Sequence, residues 1–203
     1  MVSTLEGKLK SFAILLVSLN ALATLEDIPN VETLTMNANQ VVVATVREIK
    51  KNVLIDQQKH EVNVIVLDVF ETIKGQKLKT IQFRQPSRNK MRRLQSLFHQ
   101  PRFSEGEKVF LFLSQGLDQS FLSPNAYGTF RVSNHDNLVD QNTVLKSELN
   151  NKNLFMGARL KNVQSTIQRG HLVQKQNENR LTLGDFKNLI KTIVADQDQK
   201  AHE

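Results

Sequence analysis

The chain contains no cysteine and no tryptophan, one tyrosine (Tyr127), four prolines and eight glycines among 203 residues. Without cysteine there is no disulfide, thiolate metal site, cysteine nucleophile or lipidated N-terminal cysteine. Sparse glycine and proline exclude collagen-like and proline-rich architectures. G-x-S-x-G, H-E-x-x-H, Walker and G-x-G-x-x-G signatures are all missing, so no familiar catalytic or nucleotide-binding pattern can be assigned. A chain of this size and 39% hydrophobic content can still bury a core by packing alone, with phenylalanine carrying the aromatic share.

One apolar run stands apart. Lys8 and Lys10 precede Phe12-Ala13-Ile14-Leu15-Leu16-Val17, and the run ends at Ala21-Leu22-Ala23. A basic start, a short apolar stretch and an A-x-A site follow the order of a secretory leader, and the run is too short to span a bilayer. The expectation is a leader over 1–23 and a processed chain starting at Thr24, exported to the periplasm or the extracellular space. An N-terminal core helix is the alternative.

Downstream, a lead-in helix or turn ends at Asn37-Ala38-Asn39. Gln40 to Val46 is rich in β-branched residues and reads as a strand buried on both faces. Residues 51–60 are polar and read as a hairpin connection. Val62 to Ile73 is the longest strand signal, with Val62, Val64, Val66 and Phe70 on one face and Ile65, Leu67 and Val69 on the other. Lys74-Gly75 makes a turn, and Leu78 to Phe83 returns until Pro86. Met91, Leu94, Leu97 and Phe98 at helical spacing predict a short helix over 89–99. Val109 to Leu113, Phe121 to Ser123 and Ala126 to Val132 read as further strands.

Over 133–180, fourteen of 48 residues are Asn or Gln, a composition for loops and short edge elements, with Leu154-Phe155-Met156 and Leu160 pinning them to the domain. A last helix is capped by Thr182, with Asp185 three residues on. Leu183, Phe186, Leu189, Ile190, Ile193 and Val194 form its apolar stripe. The predicted organisation is a β domain over 24–135, a polar extension over 136–181, a helix over 182–196 and a tail over 197–203. Several strands, no βαβ alternation and one late helix predict a mainly β fold: a small closed antiparallel barrel with the C-terminal helix docked on it.

The motifs Gln40-Val41-Val42-Val43-Ala44-Thr45-Val46, Val69-x-x-x-Ile73-Lys74-Gly75, Phe83-Arg84-Gln85-Pro86, Phe103-x-x-Gly106-Glu107-x-Val109-x-Leu111-Phe112-Leu113 and Tyr127-Gly128-x-Phe130-x-Val132 occur in order. Over about 38–132 this pattern resembles a group of bacterial exported proteins without an assigned function. More distantly it is similar to the netrin-like module of tissue inhibitors of metalloproteinases. The resemblance implies an OB-type barrel. Inhibitors of that kind approach a catalytic zinc with an N-terminal cysteine, which this chain lacks, so the inhibitory mechanism does not carry over.

The conspicuous chemical feature is charge. Between Glu71 and Glu105 there is no acidic residue, whereas Lys74, Lys77, Lys79, Arg84, Arg88, Lys90, Arg92, Arg93 and Arg102 contribute +9; the processed chain totals +6, so everything else sums to −3. Arg84, Arg88, Lys90, Arg92, Arg93 and Arg102 are the candidate partner-binding residues, because guanidinium forks suit phosphate and carboxylate. The same stretch also reads as a solvated cationic loop. Stacking on nucleic acid would need exposed aromatics among the cations, and only Phe98 and Phe103 are available, which disfavours that partner.

His60, His99, His135, His171 and His202 read as surface residues, Asn134-His135-Asp136-Asn137 as a turn, and Asp68 as a rim residue or the partner of a lysine. Neither a cofactor nor a metal is expected. The leading expectation is a non-enzymatic binding module whose 84–102 loop meets an anionic envelope polymer or an acidic protein. A protease inhibitor or protease-associated chaperone follows by fold analogy alone. An enzyme with a cleft invisible in sequence is the third class.

Overall fold

A computed structural model describes residues 28–55, 60–87, 100–116, 120–133, 144–146, 154–158, 166–178 and 180–200. The elements in chain order are α1 (Val31–Asn37), β1 (Gln40–Ile55), β2 (His60–Lys74), β3 (Thr80–Pro86), β4 (Lys108–Leu113), β5 (Thr129–Val132), β6 (Val144–Lys146), α2 (Thr166–Asn177) and α3 (Leu183–Lys200). The strands form one antiparallel sheet in the order β3-β2-β1-β4-β5-β6, five strands and a three-residue edge strand.

The sheet is open, which corrects the expected closed barrel. β3 and β6 are its two edges, and no strand ladder among the described residues joins them. Among the described residues, two isolated bridges, from Phe121 to Phe83 and to Gln115, connect the β3 side to the chain just after β4. Closure needs a continuous register around the ring. The Phe121 segment, expected as a strand, supplies just these bridges.

Two apolar clusters sit on opposite faces, because alternate residues of β1 point opposite ways. Val42, Ala44 and Val46 join Ile65, Leu67, Ile81, Phe83, Val109, Leu111 and Leu113 on the inner face of the curled sheet. Val41 and Val43 join Phe110, Phe112, Phe130 and the helices on the outer one. The double burial expected of β1 is therefore what the sheet requires.

β1 is longer than its sequence signal. It continues to Ile55, through residues expected to be a connection, because β2 pairs with it all the way to His60. Two of the four register shifts in this pairing, between Val46 and Glu48 and between Lys50 and Val53, fall in the polar stretch, and Asn52 adopts φ 54° with its N–H donated to the Asn63 side chain. These irregularities raise local twist and curl the hairpin.

α1 starts where Asn30 caps the Thr33 N–H at 2.9 Å. It ends on Lys74, whose Nζ donates to the carbonyls of Thr35 and Met36 at 2.8 and 3.3 Å, a cation at the negative end of a helix. α3 begins as its capping pattern predicts, with Thr182 Oγ1 accepting from the Asp185 N–H. Its stripe buries Leu183, Phe186, Leu189, Ile190 and Ile193 against the outer cluster. Phe186 lies 4.8 Å from the Phe110 ring and 4.9 Å from that of Phe130. The C-terminal helix is thus packed on the sheet as expected.

Within the Asn/Gln-rich extension, Leu154 and Phe155 are buried as expected, whereas Met156 is exposed. β6 is the short edge element that composition suggested, but α2 was not legible there. Its sequence, TIQRGHLVQKQN, has glycine inside it and little apolar stripe. Leu172 and Val173 nonetheless pack on the outer cluster, and Lys175 bonds Asp185 of α3 at 2.7 Å. Among the described residues no helix is long and apolar enough to cross a membrane.

Candidate functional site

β3 alternates strictly, with Ile81, Phe83 and Gln85 inward and Thr80, Gln82 and Arg84 outward. Period-2 geometry thus puts the Arg84 guanidinium in solvent just before the cationic excursion begins. Gln85, an inward polar residue, uses its buried position: Nε2 donates to the Pro101 carbonyl at 3.2 Å. Ser87 donates its N–H to the Glu61 carbonyl at 3.2 Å and its hydroxyl to Asn52 Oδ1 at 2.7 Å. Phe103 meets Phe83 edge-on at 5.5 Å. The described ends of the cationic stretch, Ser87 and Pro101, are therefore stitched to the β1–β2 hairpin and to β3.

Two members of the candidate set, Arg84 and Arg102, lie among the described residues. Arg84 and Arg102 are both exposed, on either side of the pinned base. The Arg102 carbonyl accepts from Arg131 Nη2 at 3.3 Å, which holds its backbone. Arg88, Lys90, Arg92 and Arg93, and the helix expected over 89–99, lie outside the described residues. Phe103 is committed to Phe83 and the inner core, which removes it from the pair of aromatics the sequence left for stacking. Lys74 is occupied at the end of α1, where burial lowers the pKa of its ammonium against a smaller raising effect of Asp198.

The acids that bound the cationic stretch in sequence are engaged with other partners. Glu105 and Glu107, which end the acid-free stretch, turn toward backbone and arginine: Glu105 accepts from the Ile49 N–H at 2.9 Å, and Glu107 accepts from Ser104 N–H and pairs with Arg131 at 2.8 Å. Glu71 is held by Lys187 at 2.8 Å and Lys191 at 3.0 Å. Burial raises its pKa, but the two ammonium hydrogen bonds and charges outweigh it and hold the carboxyl below its ordinary range. Among the described residues no carboxylate pairs with Lys77, Lys79 or Arg84.

Other sequence candidates resolve plainly. Asp68 is half-exposed and pairs with Arg47 at 2.9 Å, an arginine in place of the expected lysine. His171 is exposed; the side chains of His60, His99, His135 and His202, and the Asn134–Asn137 turn, lie outside the description. Among the described residues no three His, Asp or Glu side chains are gathered as metal ligands. A half-open groove of about 250 Å³ between α1 and the 122–125 segment is lined by uncharged residues such as Thr33, Leu34, Asn37, Phe112, Leu122 and Asn125. Its hydroxyls, those of Thr33, Ser114 and Ser123, have no acidic or basic side chain beside them in the lining to activate them. The feature that sequence reasoning passed over is Phe70, exposed on the outer face of β2; Asp68, two residues earlier in the same phase, was the signal that this face meets water.

The fold defines an antiparallel sheet protein with a C-terminal helix packed on it. No protein-family model matches the chain, and no curated protein matches it.

Proposed function

We propose that the protein is an exported, non-enzymatic binding module that engages an anionic or acidic partner in the cell envelope through residues 84–102. The observation that supports this reading is the pinned base of the excursion. A sequence stretch carrying Arg88, Lys90, Arg92 and Arg93 has its two described ends tied by the Gln85–Pro101 and Ser87–Asn52 bonds and follows exposed Arg84, while Glu105 and Glu107, the acids that end it in sequence, are engaged with Ile49, Ser104 and Arg131. A dense group of cations on a fixed base raises the local potential and speeds encounter with polyanions or acidic protein faces. The leader-like run over 1–23 supports export, and the envelope supplies such partners as acidic polysaccharide and lipid head groups.

The test is capture of partners from envelope extracts with the intact chain and with Arg92→Glu plus Arg93→Glu. The intact chain should retain an anionic polymer or acidic protein that elutes as salt rises, since exposed charge pairs are screened within about 8–10 Å at 0.1–0.15 M salt. The double variant should lose it. Equal capture by both, or retention indifferent to salt, overturns the reading.

A further inference from the structure

Phe70 is 66% exposed although β2 is an interior strand of the sheet. A bulge puts it there. Ala44 faces Val69 and Val43 faces Glu71, which leaves Phe70 with no partner on β1. Val69, before it, packs on the inner cluster; Glu71, after it, is held by Lys187 and Lys191 of α3. The extra residue flips the phase of the strand, as bulges do, and holds an aromatic ring where the α3-covered part of the outer face gives way to the bare part.

The neighbours of that ring are ordered. Thr80 faces Asp68, Asp68 faces Thr45, and Thr45 faces Lys108, so the four form one transverse row over β3, β2, β1 and β4. Residues directly opposite share a face, and the row is about 14 Å long at the usual strand spacing. Lys108 Nζ stands 6.0 Å from the Phe70 ring centroid. Asp68 is neutralised by Arg47, whereas among the described residues Lys108 has no carboxylate partner. The described surface therefore offers one flat apolar ring, one ammonium beside it that no described carboxylate pairs, and two threonine hydroxyls.

We propose that this row binds an acidic glycan, with the C–H face of a uronic-acid ring on Phe70, its carboxylate on Lys108 and its hydroxyls on Thr45 and Thr80. A sugar acid has all three characters on one ring. Single-stranded nucleic acid stacks successive bases on several rings, and the described part of this face presents one. A protein partner buries a larger apolar centre than one phenylalanine supplies. The proposal rests on the anionic-partner reading above for the sign of the ligand's charge, and places the contact on a different surface.

The test is titration of the isotope-labelled full chain at low salt with a galacturonic-acid tetramer, with a neutral galactose tetramer and a single-stranded oligonucleotide as further arms, read by amide chemical shifts. The uronate should shift Thr45, Phe70, Thr80 and Lys108, and the neutral sugar should not. Phe70→Ala and Lys108→Gln should each weaken binding roughly five- to tenfold, about the value of one aromatic or cation–π contact. Both side chains are on the surface, so unchanged thermal unfolding certifies the variants. Arg92→Glu plus Arg93→Glu should leave these four shifts in place. Uronate binding that survives Phe70→Ala but vanishes in the arginine variant discards this surface and keeps the loop reading; loss in Phe70→Ala alone does the converse. Shifts in the row with the oligonucleotide and not the uronate overturn the ligand assignment.

Discussion

The carboxamide of Gln40 closes on the backbone of Gln76 with two hydrogen bonds, Nε2 donating to the carbonyl at 2.6 Å and Oε1 accepting from the N–H at 3.0 Å. Gln40 is only 2% exposed, so these bonds satisfy a buried amide that would otherwise be costly. They also fix the turn after β2, where Gly75 sits at φ +92°.

A substitution at that turn separates two costs. A Cβ on Gly75 would collide with the Gln40 carboxamide and the Asn39 carbonyl, in addition to the left-handed backbone. Gly106, at φ +79°, has nothing within 4 Å of such a Cβ. Gly106→Ala should cost about 1 kcal/mol from conformation alone, and Gly75→Ala about 2–3 kcal/mol as the clamp is displaced. Denaturant unfolding of both variants measures the difference; equal losses would mean that the Gln40 clamp yields freely.

Acid should loosen the junctions of α3 with β2 and with α2. The pKa of Glu71 is lowered by Lys187 and Lys191 in spite of burial, and that of Asp185 by Lys175 and Thr182, also against burial. A carboxyl whose folded pKa is depressed contributes stability that is full above its unfolded value and lost as pH falls through the folded one. Unfolding free energy should therefore drop on acidification below the ordinary carboxylate range, and drop less steeply in Glu71→Gln. Because both acids are partly exposed, solvent screening keeps each contribution to about 1 kcal/mol or less.

Helix docking depends on one ring. Phe186 is fully buried among Phe110, Phe112 and Phe130, with the Phe112 centroid 6.2 Å away. Phe186→Ala should cost about 3–5 kcal/mol, the usual loss for a buried phenylalanine, with α3 exchanging its amide protons faster. Hydrogen exchange reads this; slow exchange in α3 of the variant would show that the other stripe residues suffice.

The base of the excursion links stability to the proposed binding. Gln85→Leu removes the bond to the Pro101 carbonyl while keeping all cations. Expected are a loss of about 1–3 kcal/mol from an unsatisfied buried carbonyl and weaker retention of the anionic partner with net charge unchanged. Retention identical to the parent chain would show that charge density acts without the pinned geometry.

Where the sequence and the structure part company, the cause is long-range pairing. The strand cores at Val41–Val46, Val62–Ile73 and Val109–Leu113 and the α3 stripe were legible, because burial of alternate or helically spaced residues is a local pattern. The extent of β1 to Ile55 was not, since its polar half becomes strand only by pairing with β2. α2 was hidden for the same reason: its composition is that of a loop, and its helix is held by Leu172, Val173 and Lys175 meeting other elements. Of the candidate site, the charge run and the outward phase of Arg84 could be read from the chain, whereas the Gln85–Pro101 stitch joins residues sixteen apart and left no local mark.

By itself the sequence determined the exclusions that follow from lacking cysteine, the mainly β character, the late capped helix and the acid-free cationic stretch, all properties of composition and short-range periodicity. Only the tertiary structure decided that the sheet stays open, that Lys74 caps α1, that Phe103 belongs to the core and that Phe70 stands in solvent. Each of those depends on which distant backbone groups find partners, and a single unpaired bulge residue is enough to turn a side chain from one face to the other.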